Sequence, residues 1–139
     1  MKAGRKRTRP ARPPLSPLEL EVMNVVWQLG DCTSAQVTNE FAKRRPLAPT
    51  TIRTVLANLR NKGYIKPIPA IGRGFTFRPT VPRESVARRS LRELLASLFA
   101  GCPRQAIAYM LEDTDIPESE LDEIRRMIDA NRQRKGRQL

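Results

Sequence analysis

Residues 47–63 read Leu47-Ala48-Pro49-Thr50-Thr51-Ile52-Arg53-Thr54-Val55-Leu56-Ala57-Asn58-Leu59-Arg60-Asn61-Lys62-Gly63. Pro49 suits a first helical position, where a missing N–H costs nothing and φ is already set. Ile52, Val55, Leu56 and Leu59 recur at steps of three and four, the signature of one buried helix face. That leaves Thr50, Thr51, Arg53, Thr54, Asn58 and Arg60 for the exposed side. Gly63 stands where a left-handed C-terminal cap belongs. After Gly63 the period changes. Tyr64 to Ile68 and Phe75 to Phe77 read as two short strands, with Gly72-Arg73-Gly74 as a flexible tip carrying one cation. Pro67 and Pro69 cannot donate to a ladder, so the first strand is short or lies at an edge.

Working upstream, Thr33-Ser34-Ala35-Gln36 and Ser16-Pro17-Leu18-Glu19 are both capping boxes, each opening a helix. Leu18, Val22, Val25, Val26 and Leu29 line the first helix, which Gly30 ends. Val37 and Phe41 point inward from the second, which ends near Arg44. Three short helices followed by a hairpin make a winged helix-turn-helix. Downstream of Pro82 the pattern is purely helical. Val86, Leu91, Leu94, Leu95, Leu98 and Phe99 stripe one long helix. Ala106, Ile107, Met110 and Leu111 stripe a second, and Leu121, Ile124, Met127 and Ile128 a third. About 50 residues are too few to bury such stripes by themselves. A second copy of the chain is the most economical partner, and residues 15–82 of the same chain are the alternative. The fold class is therefore mainly α with a small β-wing, a winged helix-turn-helix domain followed by a helical dimerisation domain.

Charge divides the chain in the same places. The 139 residues carry 26 Lys and Arg against 14 Asp and Glu, a net charge of +12. Residues 1–14 hold six bases and no acid, rich in Pro, and read as a disordered basic arm. The arm either solubilises the chain or lies along phosphates or in a minor groove. Residues 15–82, the winged-helix domain, hold nine bases and four acids. Residues 83–131, the dimerisation domain, hold seven and ten, and residues 132–139 form a basic C-terminal tail. So basic a chain is held near a polyanion.

The sequence has no His and two lone cysteines, Cys32 and Cys102. His-based catalysis and His-ligated or four-thiolate metal sites are excluded, and no metal or cofactor is expected. The acids Asp113, Asp115, Glu118, Glu120, Asp122 and Glu123 lack the spacing of a calcium loop and suit a helix start. No apolar run approaches a membrane span, and no signal peptide is visible. A cytoplasmic location and no membrane partner follow.

Within this frame the third helix carries the chemistry. Thr50, Thr51, Arg53 and Thr54 lie in its first two turns, the end that enters a major groove. Arg offers paired donors to guanine, and Thr a hydroxyl or a methyl. Asn58 and the wing-tip Arg73 join them as DNA-binding candidates. Lys43, Arg44, Arg45, Lys62 and Lys66 are either phosphate contacts or solvated cations.

Three segments then resemble the penicillinase repressors: Leu15-Ser16-Pro17-Leu18-Glu19-Leu20-Glu21-Val22-Met23 through Val26-Trp27, Ala48-Pro49 through Asn58-Leu59, and Lys62-Gly63-Tyr64-Ile65. The first is similar to the family pattern L-x-x-x-E-x-x-V-M-x-x-x-W. The others are similar to P-x-T-I-x-T-x-L-x-x-L-x-x-K-G. The resemblance runs from about residue 15 to about residue 131. It implies a homodimeric repressor of bacterial promoters on dyad-symmetric operators, with Thr50, Thr51, Arg53, Thr54 and Arg73 at the DNA. Its dimer seam would hold Leu91, Leu94, Leu95, Leu98, Phe99, Ile107, Met110, Leu111, Leu121, Ile124 and Ile128. The family's proteolytic cut site aligns with Tyr109-Met110, which makes that pair a candidate switch and a regulatory protease a candidate partner. The thiolate motif of the copper-responsive relatives is absent, and the arm before Leu15 is longer than usual for the family.

The expectation is a DNA-binding repressor and not an enzyme, with double-stranded DNA and a second copy as partners. The alternative is a sequence-tolerant, architectural nucleic-acid-binding protein driven by total charge.

Overall fold

The computed structural model describes residues 12–69 and 74–137. Most of the basic arm and the wing-tip Arg73 lie outside these residues. Eight elements follow in order: α1 (Pro17–Leu29), α2 (Ser34–Phe41), α3 (Pro49–Asn61), β1 (Ile65–Pro69), β2 (Phe75–Pro79), α4 (Arg83–Leu98), α5 (Pro103–Asp113) and α6 (Glu118–Arg137). The chain divides into two compact units, Met1–Arg88 and Arg89–Leu139. The division falls inside α4, whereas the sequence pattern places it after residue 82.

Both capping boxes form. The Ser16 hydroxyl accepts from the Glu19 N–H at 3.2 Å, and the Glu19 carboxylate accepts from the Ser16 N–H at 2.9 Å. Thr33 and Gln36 repeat the exchange at 3.2 and 2.9 Å. The apolar faces of α1, α2 and α3 meet in one core, where Val22, Met23, Val26, Phe41, Ile52 and Leu59 are fully buried. The Trp27 indole N–H reaches the Val81 carbonyl at 2.9 Å and ties α1 to the chain leaving β2. Helix α2 stops at Phe41, short of Arg44, because the chain turns through residues 42–44.

β1 and β2 pair antiparallel, with Pro67 opposite Phe77 and Pro69 opposite Phe75. On its other side Phe77 exchanges two backbone hydrogen bonds with Cys32, at 2.7 and 3.0 Å. Backbone groups alternate along a strand, so Thr76 and Arg78 are the β2 residues that bond to β1. The prolines of β1 therefore occupy positions where no N–H is required.

The second unit contrasts with this core. Helices α4, α5 and α6 contain no buried residue, and they barely pack on one another. Phe99 and Tyr109 make a tilted aromatic pair at 5.9 Å. Leu91, Leu94, Leu98, Ile107, Met110, Leu111 and Ile128 are exposed, while Leu95, Phe99, Leu121 and Ile124 are half-buried. Val86 departs from the expected stripe: it packs against the winged-helix core. Helix α6 continues to Arg137, so Arg132, Arg134, Lys135 and Arg137 of the expected basic tail belong to its last turns. Cations there suit the negative end of the helix dipole. Among the described residues, no single helix is long and apolar enough to cross a membrane.

Candidate nucleic-acid interface

Ile52, Val55, Leu56 and Leu59 anchor α3 in the core and fix its rotation. At about 100° per residue, the outermost line is then Thr50, Thr54, Ala57 and Asn61, all exposed. Arg53 and Arg60 lie to one side of it. Thr51 and Asn58 lie to the other, and Thr51 is half-buried. Its expected full exposure fails because it shares a flank with the buried Val55. The Thr54 hydroxyl donates to the Thr50 carbonyl at 3.0 Å, leaving its methyl and both oxygen lone pairs uncommitted. Helix α3 also lacks the side-chain cap that α1 and α2 possess, so its first-turn N–H groups are free for an anion.

Between α3 and the hairpin runs a cleft of about 480 Å³ lined by Ser34, Arg53, Leu56, Ala57, Arg60, Asn61, Phe75 and Phe77. Phe75 is 63% exposed on its hairpin side. Two guanidinium groups thus stand along one open groove between a helix and a wing.

Electrostatics set these two arginines apart. All four acids of residues 15–82 are already paired. Glu19 binds Lys62, Glu21 binds Arg45 at 3.0 Å, Asp31 binds Arg78 at 2.8 Å and Glu40 binds Lys43 at 3.1 Å. None of those eight residues lies on α3. Arg45 also stacks over the Phe41 ring at 5.7 Å. Lys62 further donates to the Pro14 carbonyl at 3.0 Å, and its hydrogen bond, then the Ser16 N–H, hold the buried Glu19 carboxyl below its ordinary value. The hydrogen bonds from Arg78 likewise lower Asp31. Of the candidate phosphate contacts, Lys43, Arg45 and Lys62 are therefore already ion-paired within the chain. Among the described residues of 15–82, Arg44, Arg53, Arg60 and Lys66 have no acidic partner. Burial pushes the Cys32 thiol up to about 11, so it is an inert core group.

A sequence profile described as Penicillinase repressor matches residues 15–130. The chain belongs to the penicillinase repressor family. The penicillinase repressor of Bacillus licheniformis is 26% identical over 88% of this chain and 95% of its own length. The methicillin resistance regulatory protein MecI of Staphylococcus aureus (strain N315) is 22% identical over 82% of this chain and 92% of its own. A solution structure of Bacillus licheniformis BlaI, monomeric and bound to the blaP half-operator, is 32% identical over 53% of this chain and 89% of that one, with a TM-score of 0.46.

In this member of the penicillinase repressor family, α3 brings Thr50, Arg53 and Thr54 onto or beside one exposed surface, and sets Asn58 to its far side. Ala57 and Asn61 share that surface beyond the residues expected there, and helical spacing from Thr50 and Thr54 marks them. Phe75, a strand residue in the sequence pattern, also lines the cleft. The anchoring of residues 12–14 had no sequence signal. Arg12 Nε donates to the Gly63 carbonyl at 2.7 Å, and the Tyr64 hydroxyl donates to the Pro13 carbonyl at 2.7 Å.

Proposed function

We propose that this chain is a sequence-specific transcriptional repressor, not an enzyme, that binds dyad-symmetric promoter DNA as a homodimer. The sorting of charge carries this reading. Every acid of the winged-helix domain is tied to a cation outside the body of α3, and the unpaired Arg53 and Arg60 line the groove between helix and wing. Phosphate binding uses such cations, and the adjoining Thr50, Thr54 and Asn61 supply groups that can read base edges. Arg73, at the tip of the wing, is proposed to meet the neighbouring backbone. A chain with this work acts where promoter DNA is, in the cytoplasm.

The helical unit fits the dimer. The apolar faces of α4, α5 and α6 are left uncovered by their own chain, and a second copy would bury both sets at once. The Tyr109–Met110 bond, where the family's cut site aligns, lies in the middle of α5. A regulatory protease would have to open α5 to reach it, and the cut would separate α4 from α6.

Genomic fragments retained by the chain and then sequenced should share an inverted repeat. Fragments with no common element would overturn sequence specificity.

A further inference from the structure

The dimer reading leaves open how the two helical units face each other, and α6 carries a pattern that answers it. Its first six residues include Glu118, Glu120, Asp122 and Glu123, and its last six include Arg132, Arg134, Lys135 and Arg137. Between them Leu121, Ile124 and Ile128 form a short apolar stripe. Leu121 and Ile124 are half-buried and Ile128 is 51% exposed. Continuing by helical steps, the stripe runs on into Arg132 and Lys135, while Glu118 and Glu120 flank its beginning. Asp129 is the one acid in the second half, and Arg125 and Arg126 are the two bases of the first.

The helix dipole accounts for charges in the terminal turns only, because its effect fades beyond them. Asp122, Glu123 and Arg132 lie further in. No residue of α6 is buried, and none of its charged side chains is ion-paired among the described residues. We propose that α6 pairs antiparallel with α6 of a second copy, the Glu118/Glu120 end of each lying against the Arg132/Lys135 end of the other. This inference rests on the dimer reading above. With the two-fold axis between Ile124 and Ile128, Ile124 falls close to the partner's Ile128, Glu120 close to the partner's Arg132 and Glu118 close to the partner's Lys135. A parallel pair would instead set Arg132 and Lys135 against their own copies on the line of contact, and like charges so placed repel.

The test uses the full chain in three forms: wild type, the half-swap Glu118→Lys/Glu120→Lys, and the full swap that adds Arg132→Glu/Lys135→Glu. Circular dichroism checks that all three keep their helices. In low salt the half-swap should weaken dimerisation by about tenfold, less so in high salt, and the full swap should restore it. Mixed and equilibrated with differently tagged wild type, the full swap should self-sort, with mixed dimers below about a tenth of the total. Native mass spectrometry counts them. Statistical mixing, or a half-swap that dimerises as tightly as wild type, or a full swap that fails to recover, each overturns antiparallel pairing. A monomeric wild type overturns the dimer reading itself.

Discussion

Arg53 and Arg60 lie on the same side of α3 and line the same cleft, yet they stand at different depths along the helix. Arg53 is in the half proposed to enter a major groove, and Arg60 is near the C-terminal end of the helix. Arg53→Ala should cost about 1–3 kcal/mol and relax discrimination at one base pair of each half-site. Arg60→Ala should weaken every duplex alike and reduce the salt slope by about one per subunit. Titrations on the operator and on single-base variants check both, and equal losses for Arg53→Ala on all duplexes would assign it to phosphate. A second prediction concerns Glu19. Its carboxyl is held below its ordinary 4.5 by Lys62 and the Ser16 N–H. A carboxylate lowered on folding adds stability above its unfolded value, and that stability is lost as pH falls through the folded one. The melting temperature should therefore drop on acidification below about 4.5, and Glu19→Gln should be less stable at neutral pH with a flatter acid limb. Parallel acid limbs for the two proteins would contradict this.

Among the elements, the most informative junction joins the arm's root to the turn after α3. Gly63 there has φ of 86°, a conformation that only glycine adopts freely, and its carbonyl accepts from both Arg12 and Thr80. Removing residues 1–11 takes away Lys2, Arg5, Lys6, Arg7 and Arg9 but leaves this junction whole. It should flatten the salt dependence of DNA binding without changing the melting temperature. Removing residues 1–14 also strips three hydrogen bonds and should cost a further 1–3 kcal/mol or so. Identical melting curves for the two truncations would contradict the anchoring role. The elements themselves were largely legible. Capping boxes at Ser16 and Thr33, Pro49 at a first helical position and Gly63 after the last each act within a few residues, so sequence spacing displays them. What stayed hidden was long-range. The Cys32–Phe77 bridge that lets β1 tolerate two prolines joins residues 45 positions apart. The pairing of every acid of the winged-helix domain likewise depends on which side chains the fold brings together. So does the outward line through Ala57 and Asn61, which appears only once the rotation of α3 is fixed.

The whole molecule combines a well-packed winged-helix unit with a helical unit that has no core of its own. Leu94 and Leu98 are 46% and 71% exposed, which a lone chain in water would keep only at the expense of its hydrophobic stabilisation. The chain should therefore be a dimer at micromolar concentration by light scattering, and Leu94→Lys with Leu98→Lys should make it a monomer. A monomeric wild type would remove the reason for a dyad operator. The central claim, that the dimer reads sequence and is not merely drawn to charge, is tested most directly by competition. A labelled operator duplex, obtained from the bound genomic fragments, is held by the wild-type chain near physiological salt and challenged with unlabelled operator or with a scrambled duplex of equal length and composition. The account predicts that the scrambled duplex competes at least about 10³-fold less well; equal competition by the two duplexes would contradict it.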